Sequence, residues 1–331
     1  VLDVYDGSSL PKLSLLGSCS RKIGAGGYSI SAMQWPRPNR PCVVVTSQWS
    51  YSWERGGASL TLAQQKKPAA GDPLPRIFPP IGGRVGQKPR LLVFDVTQPE
   101  APTAWAPVSF GSADTTPGNV TASGGGLVVV GTERQADVKI LTGSDLYPML
   151  NSVNVLEVGQ TGPAVARPGI DLPGTLFAVT DLNARGFLIF SRAISSQKTA
   201  SVTVCASDGF DAFLVASREV DAQAAVTAGG RRLFVATSNG VSRYKLANNK
   251  TWISESGLSF GWRAEALRFS TGKVLGIQGN RIFAADADAP TARIWGFPTW
   301  SPWLDSVAVA ANGDLLVPFG PYGAERLSAE K

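Results

Sequence analysis

Histidine is absent from all 331 residues. That absence excludes a Ser-His-Asp or Cys-His nucleophile, a His-ligated metal and a c-type haem attachment motif. Cysteine is nearly absent, with only Cys19, Cys42 and Cys205, too few for a Cys-rich structural zinc site. No apolar run is long enough to cross a bilayer as a helix. Charged residues make up only 17% of the chain, while glycine (36) and proline (23) abound within a 44% hydrophobic background. Such a composition belongs to a turn-rich globular protein with a sizeable core, and the length allows one large all-β domain or two ordinary ones.

Net charge is +6, from 31 basic and 25 acidic residues. The sign would suit a nucleic acid, but the distribution argues against one. Between Glu54 and Arg90 stand seven basic residues and two acids, a local excess of +5 in a stretch with six prolines, and the rest of the chain is close to neutral. This segment reads as an extended loop, suited to a solvated insertion or to lying across a partner protein. No basic stripe interleaved with aromatics marks a single-strand nucleic-acid binder.

The chain opens on Val1-Leu2-Asp3-Val4-Tyr5-Asp6, an alternating strand with no initiator Met and no signal-peptide pattern before it. It is expected to be a processed chain or a piece of something longer. Three cysteines leave at least one thiol free or intermolecular. Pairing of Cys19 with Cys42 would suit an oxidising compartment, and three buried free thiols are the equal alternative.

The strongest pattern is a recurring pair of short apolar strands separated by a Gly, Asn or Asp turn. Residues 222–228, Gly229-Gly230 and Leu233-Phe234-Val235-Ala236 form one pair; residues 263–269, Ser270-Thr271-Gly272-Lys273 and Val274-Leu275-Gly276-Ile277 form the next. Residues 305–311, Asn312-Gly313-Asp314 and Leu315-Leu316-Val317 form a third. The second strands start at Leu233, Val274 and Leu315, each 41 residues apart, the length of one four-stranded propeller blade of about forty residues. Earlier pairs fall at 176–190, 119–130 and 29–45, so the chain predicts an all-β fold: a single six-bladed β-propeller over residues 1–331, with seven blades as the alternative. Surplus length predicts loop insertions at about 54–90 and 133–174, with a short helix over 58–67. The last unit is short of strands, and the N-terminal strand is expected to complete it and close the ring, because unpaired edges aggregate.

One segment carries a resemblance. Phe94-Asp95-Val96-Thr97-Gln98-Pro99-Glu100-Ala101-Pro102 resembles the "D-x-S/T-x-P-x-x-P" strand-and-turn motif of secreted bacterial β-propeller repeats of the LVIVD type, and Val4-Tyr5-Asp6-Gly7-Ser8-Ser9-Leu10-Pro11 looks like a degenerate copy. Physically, the Asp accepts turn N–H bonds and the prolines fix the link from third to fourth strand. The resemblance implies an extracytoplasmic module of a larger surface assembly and no reaction. Units from Ala222 onward more loosely resemble the six-bladed gluconolactonase and strictosidine synthase group. That likeness implies a divalent metal in the central channel, for which Asn119, Asp181, Glu265 and Asp305 are the candidate ligands. The Glu-Gly-Pro opening motif of that group is missing, and a hard cation needs about six oxygen donors.

Other acids read structurally: Asp208, Asp286, Asp288 and Asp314 lie in or beside turns, where Asp commonly accepts local backbone N–H groups. Gly24-Ala25-Gly26-Gly27 and Gly124-Gly125-Gly126 are hairpin or loop glycines rather than phosphate cradles, as neither stands between a strand and a helix. Nine tryptophans are many for this length. Trp49 and Trp53 flank the first insertion; Trp295, Trp300 and Trp303 share a Pro-rich loop that would pack between blades, anchor a partner protein or stack on sugar rings. The expected function is a non-catalytic binding or scaffold module outside the cytoplasm, with no cofactor and with other proteins as partners. Its contact residues would be Trp49, Trp53, Arg76, Phe78, Arg84, Trp295, Trp300 and Trp303. A metal-dependent lactonase-like hydrolase and a carbohydrate-binding propeller are the alternatives.

Overall fold

The computed structural model describes residues 2–6, 14–20, 28–34, 41–47, 54–55, 58–59, 90–110, 115–122, 127–135, 149–157, 165–166, 170–172, 174–182, 186–208, 212–248, 250–297, 304, 307–310, 312–318 and 324–328. The fold is all-β, with no α-helix among the described residues. An N-terminal hairpin pairs β1 (Leu2–Asp6) with β2 (Ser14–Cys19). The first unit holds β3 (Tyr28–Gln34), β4 (Pro41–Ser47), a two-residue ladder of β5 (Glu54–Arg55) with β6 (Ala58–Ser59), then β7 (Arg90–Asp95), β8 (Thr103–Ala104) and β9 (Val108–Ser109). The second holds β10 (Thr115–Ala122), β11 (Leu127–Gln135), β12 (Met149–Glu157), β13 (Val165–Ala166) and β14 (Ile170–Asp171).

Three regular four-stranded meanders follow. The third unit is β15 (Thr175–Asp181), β16 (Phe187–Ile194), β17 (Thr199–Ser207) and β18 (Ala212–Asp221); the fourth is β19 (Val226–Gly229), β20 (Arg232–Thr237), β21 (Gly240–Leu246) and β22 (Trp252–Ser259). The fifth is β23 (Ala266–Ser270), β24 (Lys273–Gln278), β25 (Arg281–Asp286) and β26 (Arg293–Gly296), and the sixth has three strands, β27 (Ala308–Val309), β28 (Leu315–Pro318) and β29 (Ala324–Leu327). Strands consecutive in sequence are neighbours within each of these four sheets, and the first strands touch from unit to unit: β3 with β10, β10 with β15, β15 with β19 and β19 with β23.

Local chemistry explains the hairpins. At the β23–β24 turn Thr271 (φ 49°) and Gly272 (φ 74°) are both left-handed, the two-residue geometry whose twist matches paired strands. The core lies between sheets rather than on one side of each. Successive residues of a strand point to opposite faces, so Val274 packs toward the fourth unit with Phe234 and Val241, while Leu275 packs toward the sixth with Leu315 and Val317. Burial on both faces is why β7 and β16 read as unbroken apolar runs, with Leu91, Leu92, Val93 and Phe94, and Phe187, Leu188, Ile189 and Phe190, all buried.

Three expectations change. Residues 133–174 are not all loop: Met149–Glu157 is the second unit's third strand, paired with Leu127–Gln135 along its whole length. Ala58–Ser59, expected to begin a helix, pairs with Glu54–Arg55 across Gly56-Gly57 in sequence, a dipeptide that favours a hairpin. Among the described residues β1 pairs with β2 and not with a strand of the sixth unit, and this hairpin packs through Leu2 and Cys19 on Leu92 and Phe94 of the first. Cys19 and Cys205 are free thiols, so the Cys19–Cys42 bridge is not formed; burial pushes the Cys205 thiol above its ordinary pKa.

Residues 94–102 span the turn between β7 and β8. Asp95 Oδ1 accepts the Thr97 N–H (3.0 Å) and the Thr97 hydroxyl (2.6 Å), and the Gln98 carbonyl accepts the Ala101 N–H (3.0 Å). The N-terminal hairpin rests on this turn at Gly17, where a Cβ would run into the Pro99 and Glu100 backbone.

Candidate functional site

Arginines hold the joints between units. Arg243 on β21, 4% exposed, donates from Nε to the Ser256 carbonyl (2.5 Å) and from Nη1 to the Ala287 (2.9 Å) and Ala289 (2.7 Å) carbonyls of the fifth unit. Arg268 on β23 donates to the Leu304 (3.2 Å) and Val307 (2.7 Å) carbonyls on the way to the sixth unit. Arg192 on β16 donates to the Ala222 carbonyl on the way to the fourth. Carbonyls in such links lack a ladder partner, and a forked guanidinium reaches several of them from one side chain.

Acids read as local turn acceptors prove to be ion-paired as well. Asp286 takes Lys273 Nζ (2.6 Å), and Asp314, 2% exposed, takes Arg326 Nε (2.5 Å). Arg232 bridges Glu255 (2.8 and 3.4 Å) and Asp288 (2.5 Å). The hydrogen-bonded Arg232 guanidinium holds the Glu255 carboxyl below the usual carboxylate range, against the opposing effect of burial. A depressed folded-state value means that this stabilisation is complete above the unfolded carboxylate pKa of about 4.3 and is lost as pH falls through the lower folded value. Arg232→Met is therefore expected to cost about 1 kcal/mol at neutral pH. Denaturant midpoints measured down to about pH 3 should show the difference from wild type shrinking below the unfolded pKa; a difference constant with pH would rule out the charge contribution.

Of the anticipated contact residues, Trp49, Trp53, Arg76, Phe78, Arg84, Trp300 and Trp303 lie outside the described residues. Trp295, on β26, is half-buried and packs against the cluster of Leu275, Ile282, Phe297 and Leu315 that joins the fifth and sixth units. Of the four alternative metal ligands, Asp305 lies outside the described residues. Asn119 is on β10, Asp181 ends β15 and Glu265 precedes β23, so two of them sit at opposite ends of their respective first strands. Glu265 Oε2 accepts the Gly279 N–H (3.3 Å) within its own unit. Among the described residues no three Cys, Asp or Glu side chains gather where they could hold a metal ion.

Four of the nine exposed large apolar side chains among the described residues lie on fourth strands, while the most exposed, Ile194 (72%), ends β16, and Tyr5, Leu15 and Leu16 lie on the N-terminal hairpin. Phe213 (68%) and Leu214 (65%) lie on β18, Ile253 (52%) on β22 and Ile294 (45%) on β26, each strand at the edge of its sheet. Ala212-Phe213-Leu214-Val215 is a continuous apolar run, which in sequence reads as a strand buried on both faces.

No family model matches the chain, and no curated protein matches it. Among solved structures it is similar to a protein of unknown function from Dyadobacter fermentans, at 14% identity and a TM-score of 0.47, over 87% of this chain and 88% of that one. Among the described residues no helix is long and apolar enough to cross a membrane.

Proposed function

We propose that the chain is a single six-bladed β-propeller of the LVIVD-like kind, acting as a non-catalytic binding or scaffold module for other proteins outside the cytoplasm. The observation that carries this reading is a division of labour. Buried Arg243 and Asp314 are engaged in structural contacts, whereas Phe213, Leu214, Ile253 and Ile294 stand in solvent on edge strands. Edge strands with exposed apolar side chains are natural surfaces for a protein partner. Six sheets of three or more strands among the described residues favour six blades over seven in this reading, with the two-stranded β1–β2 hairpin resting on Leu92 and Phe94 of the first unit.

The basic, proline-rich segment between Glu54 and Arg90 is the second element of the contact surface. Deleting residues 56–88 is expected to leave the folding transition in place and to weaken association with the partner isolated from the native source at least about tenfold, the equivalent of about 1.4 kcal/mol. Unchanged association would remove that segment from the interface. Elemental analysis of the purified protein checks the lactonase-like alternative: a stoichiometric divalent ion lost on substitution of Asn119 or Asp181 would replace the binding-module reading.

A further inference from the structure

Neighbouring units carry opposite charge at equivalent places. In the third unit the segment joining the third strand to the fourth, residues 208–211, holds Asp208 and Asp211 and no basic residue; in the fourth unit residues 247–251 hold Lys250 and no acid. Asp208 and Lys250 are both exposed. Lys245, also exposed, adds a second cation on the fourth unit, where it stands opposite Ile253 in the ladder. Neither lysine ammonium has a carboxylate within ion-pair distance among the described residues.

Exposed apolar side chains stand beside both charges. Phe213 and Leu214 are the second and third residues of β18, and Ile253 is the second residue of β22, so all three lie at the same end of their sheets. Together they present roughly 350 Å² of surface, the size at which a patch on a monomer often marks a contact site. The two spots flank one joint. Val215 follows Leu214, Trp252 precedes Ile253, and both pack on the cluster of Phe190, Val204, Ala216 and Leu246 that joins the third and fourth units. β18 and β22 are edge strands as well, and their outer backbone groups are open to a further contact.

The alternation of sign selects the occupant. An anionic bilayer would favour cations throughout and would be repelled at Asp208. A two-fold axis along the joint sets the third unit of one copy against the fourth unit of the other. Each copy's Asp208 then meets the other's Lys245 and Lys250, and Phe213, Leu214 and Ile253 close the centre, as a self-complementary contact requires. We propose that the rim of the joint between the third and fourth units binds a second copy of this chain about such an axis. The inference rests on the reading of these edge strands as a protein-contact face and names what covers it.

Sedimentation equilibrium of the full chain over a range of concentrations tests this. A reversible monomer–dimer equilibrium is expected, weakening as sodium chloride rises. Phe213→Ser and Leu214→Ser should each weaken the dimer at least about tenfold, since every lost contact is lost twice in a two-fold interface. Lys250→Glu and Asp208→Lys should each weaken it about three- to tenfold, the scale of two exposed ion pairs. Combining the two exchanges should restore association towards wild type, because each reversed charge then meets its reversed counterpart. Ile194→Ser, at the most exposed apolar side chain and the opposite end of the third unit, should leave the dimer unchanged. Circular dichroism checks each fold; Lys245→Glu stands in for a charge variant that does not fold, and Leu214→Ser for Phe213→Ser. A chain that sediments as a monomer at every concentration overturns the proposal. So does a dimer that the Phe213 and Leu214 variants leave intact or that the double exchange fails to restore. A monomer that still takes the native partner through residues 56–88 sinks this inference alone, and a dimer that takes no partner sinks only the wider binding-module reading.

Discussion

Phe283→Ala is expected to destabilise the protein by about 3–5 kcal/mol, the cost of emptying a large buried aromatic site. Phe283 is fully buried between the fourth and fifth units, with ring centroids 4.7 Å from Phe260 and 5.8 Å from Trp262. Its ring occupies the space a Cβ would take at Gly276, so the backbone there approaches it directly and cannot collapse into the void as a side chain would. The neighbouring residue, Ile282, faces the other joint with Leu275 and Leu315, so the truncation opens one joint and spares the next. Guanidinium denaturation measures the loss. In a closed ring the whole transition moves to lower denaturant as one step, because each unit is held from both sides. An open array would release units in separate steps, as stacked repeats do when cooperativity fails. A midpoint unchanged from wild type would contradict the packing of this joint.

Arg243→Met is the second large effect, expected at about 3 kcal/mol. Methionine keeps much of the side-chain volume, so the loss isolates the hydrogen bonds to Ser256, Ala287 and Ala289. Removing the donor leaves carbonyls stranded at the joint, and that desolvation cost exceeds the modest net gain of making such bonds. Arg243→Lys should recover only part of the stability, because a single ammonium does not reproduce the fork that serves carbonyls on both sides of the joint. Thermal or denaturant unfolding of the two variants separates the cases: equal stability of Lys and wild type would mean that charge alone suffices there.

These effects come from contacts between sheets, and there the sequence is least readable. The hairpins were legible because each is local. Strand alternation and a left-handed residue such as Gly230 or Gly272 between strands act within a few residues, and the 41-residue spacing of Leu233, Val274 and Leu315 recurs because each unit repeats that local solution. The third strand of the second unit was not legible. Asn151, Ser152 and Asn154 interrupt the apolar pattern of Met149–Glu157, and only a full-length ladder with Leu127–Gln135 makes it a strand, as expected where β-propensity reflects context. Asp95 was read correctly because its acceptor role operates over two residues. Asp288 and Asp314 were read only as local acceptors because their ion-pair partners, Arg232 and Arg326, are distant in sequence; Asp314 also accepts the Asn312 side-chain amide two residues away.

The sequence by itself determined the class of the protein: strands, their turns, the recurrence of the unit, and the exclusion of histidine chemistry. All of these follow from composition or from steric preferences that act over a turn or less. The tertiary structure alone decided which side chains meet. Arg243 reaches carbonyls 44 and 46 positions away, Arg192 and Arg263 arrive at one dipeptide from different units, and Phe213 and Leu214 are exposed on the same edge strand that buries Ala216 and Val220. No local pattern encodes such meetings, since they depend on how far each sheet turns relative to the next and on which residues each face offers across the joint.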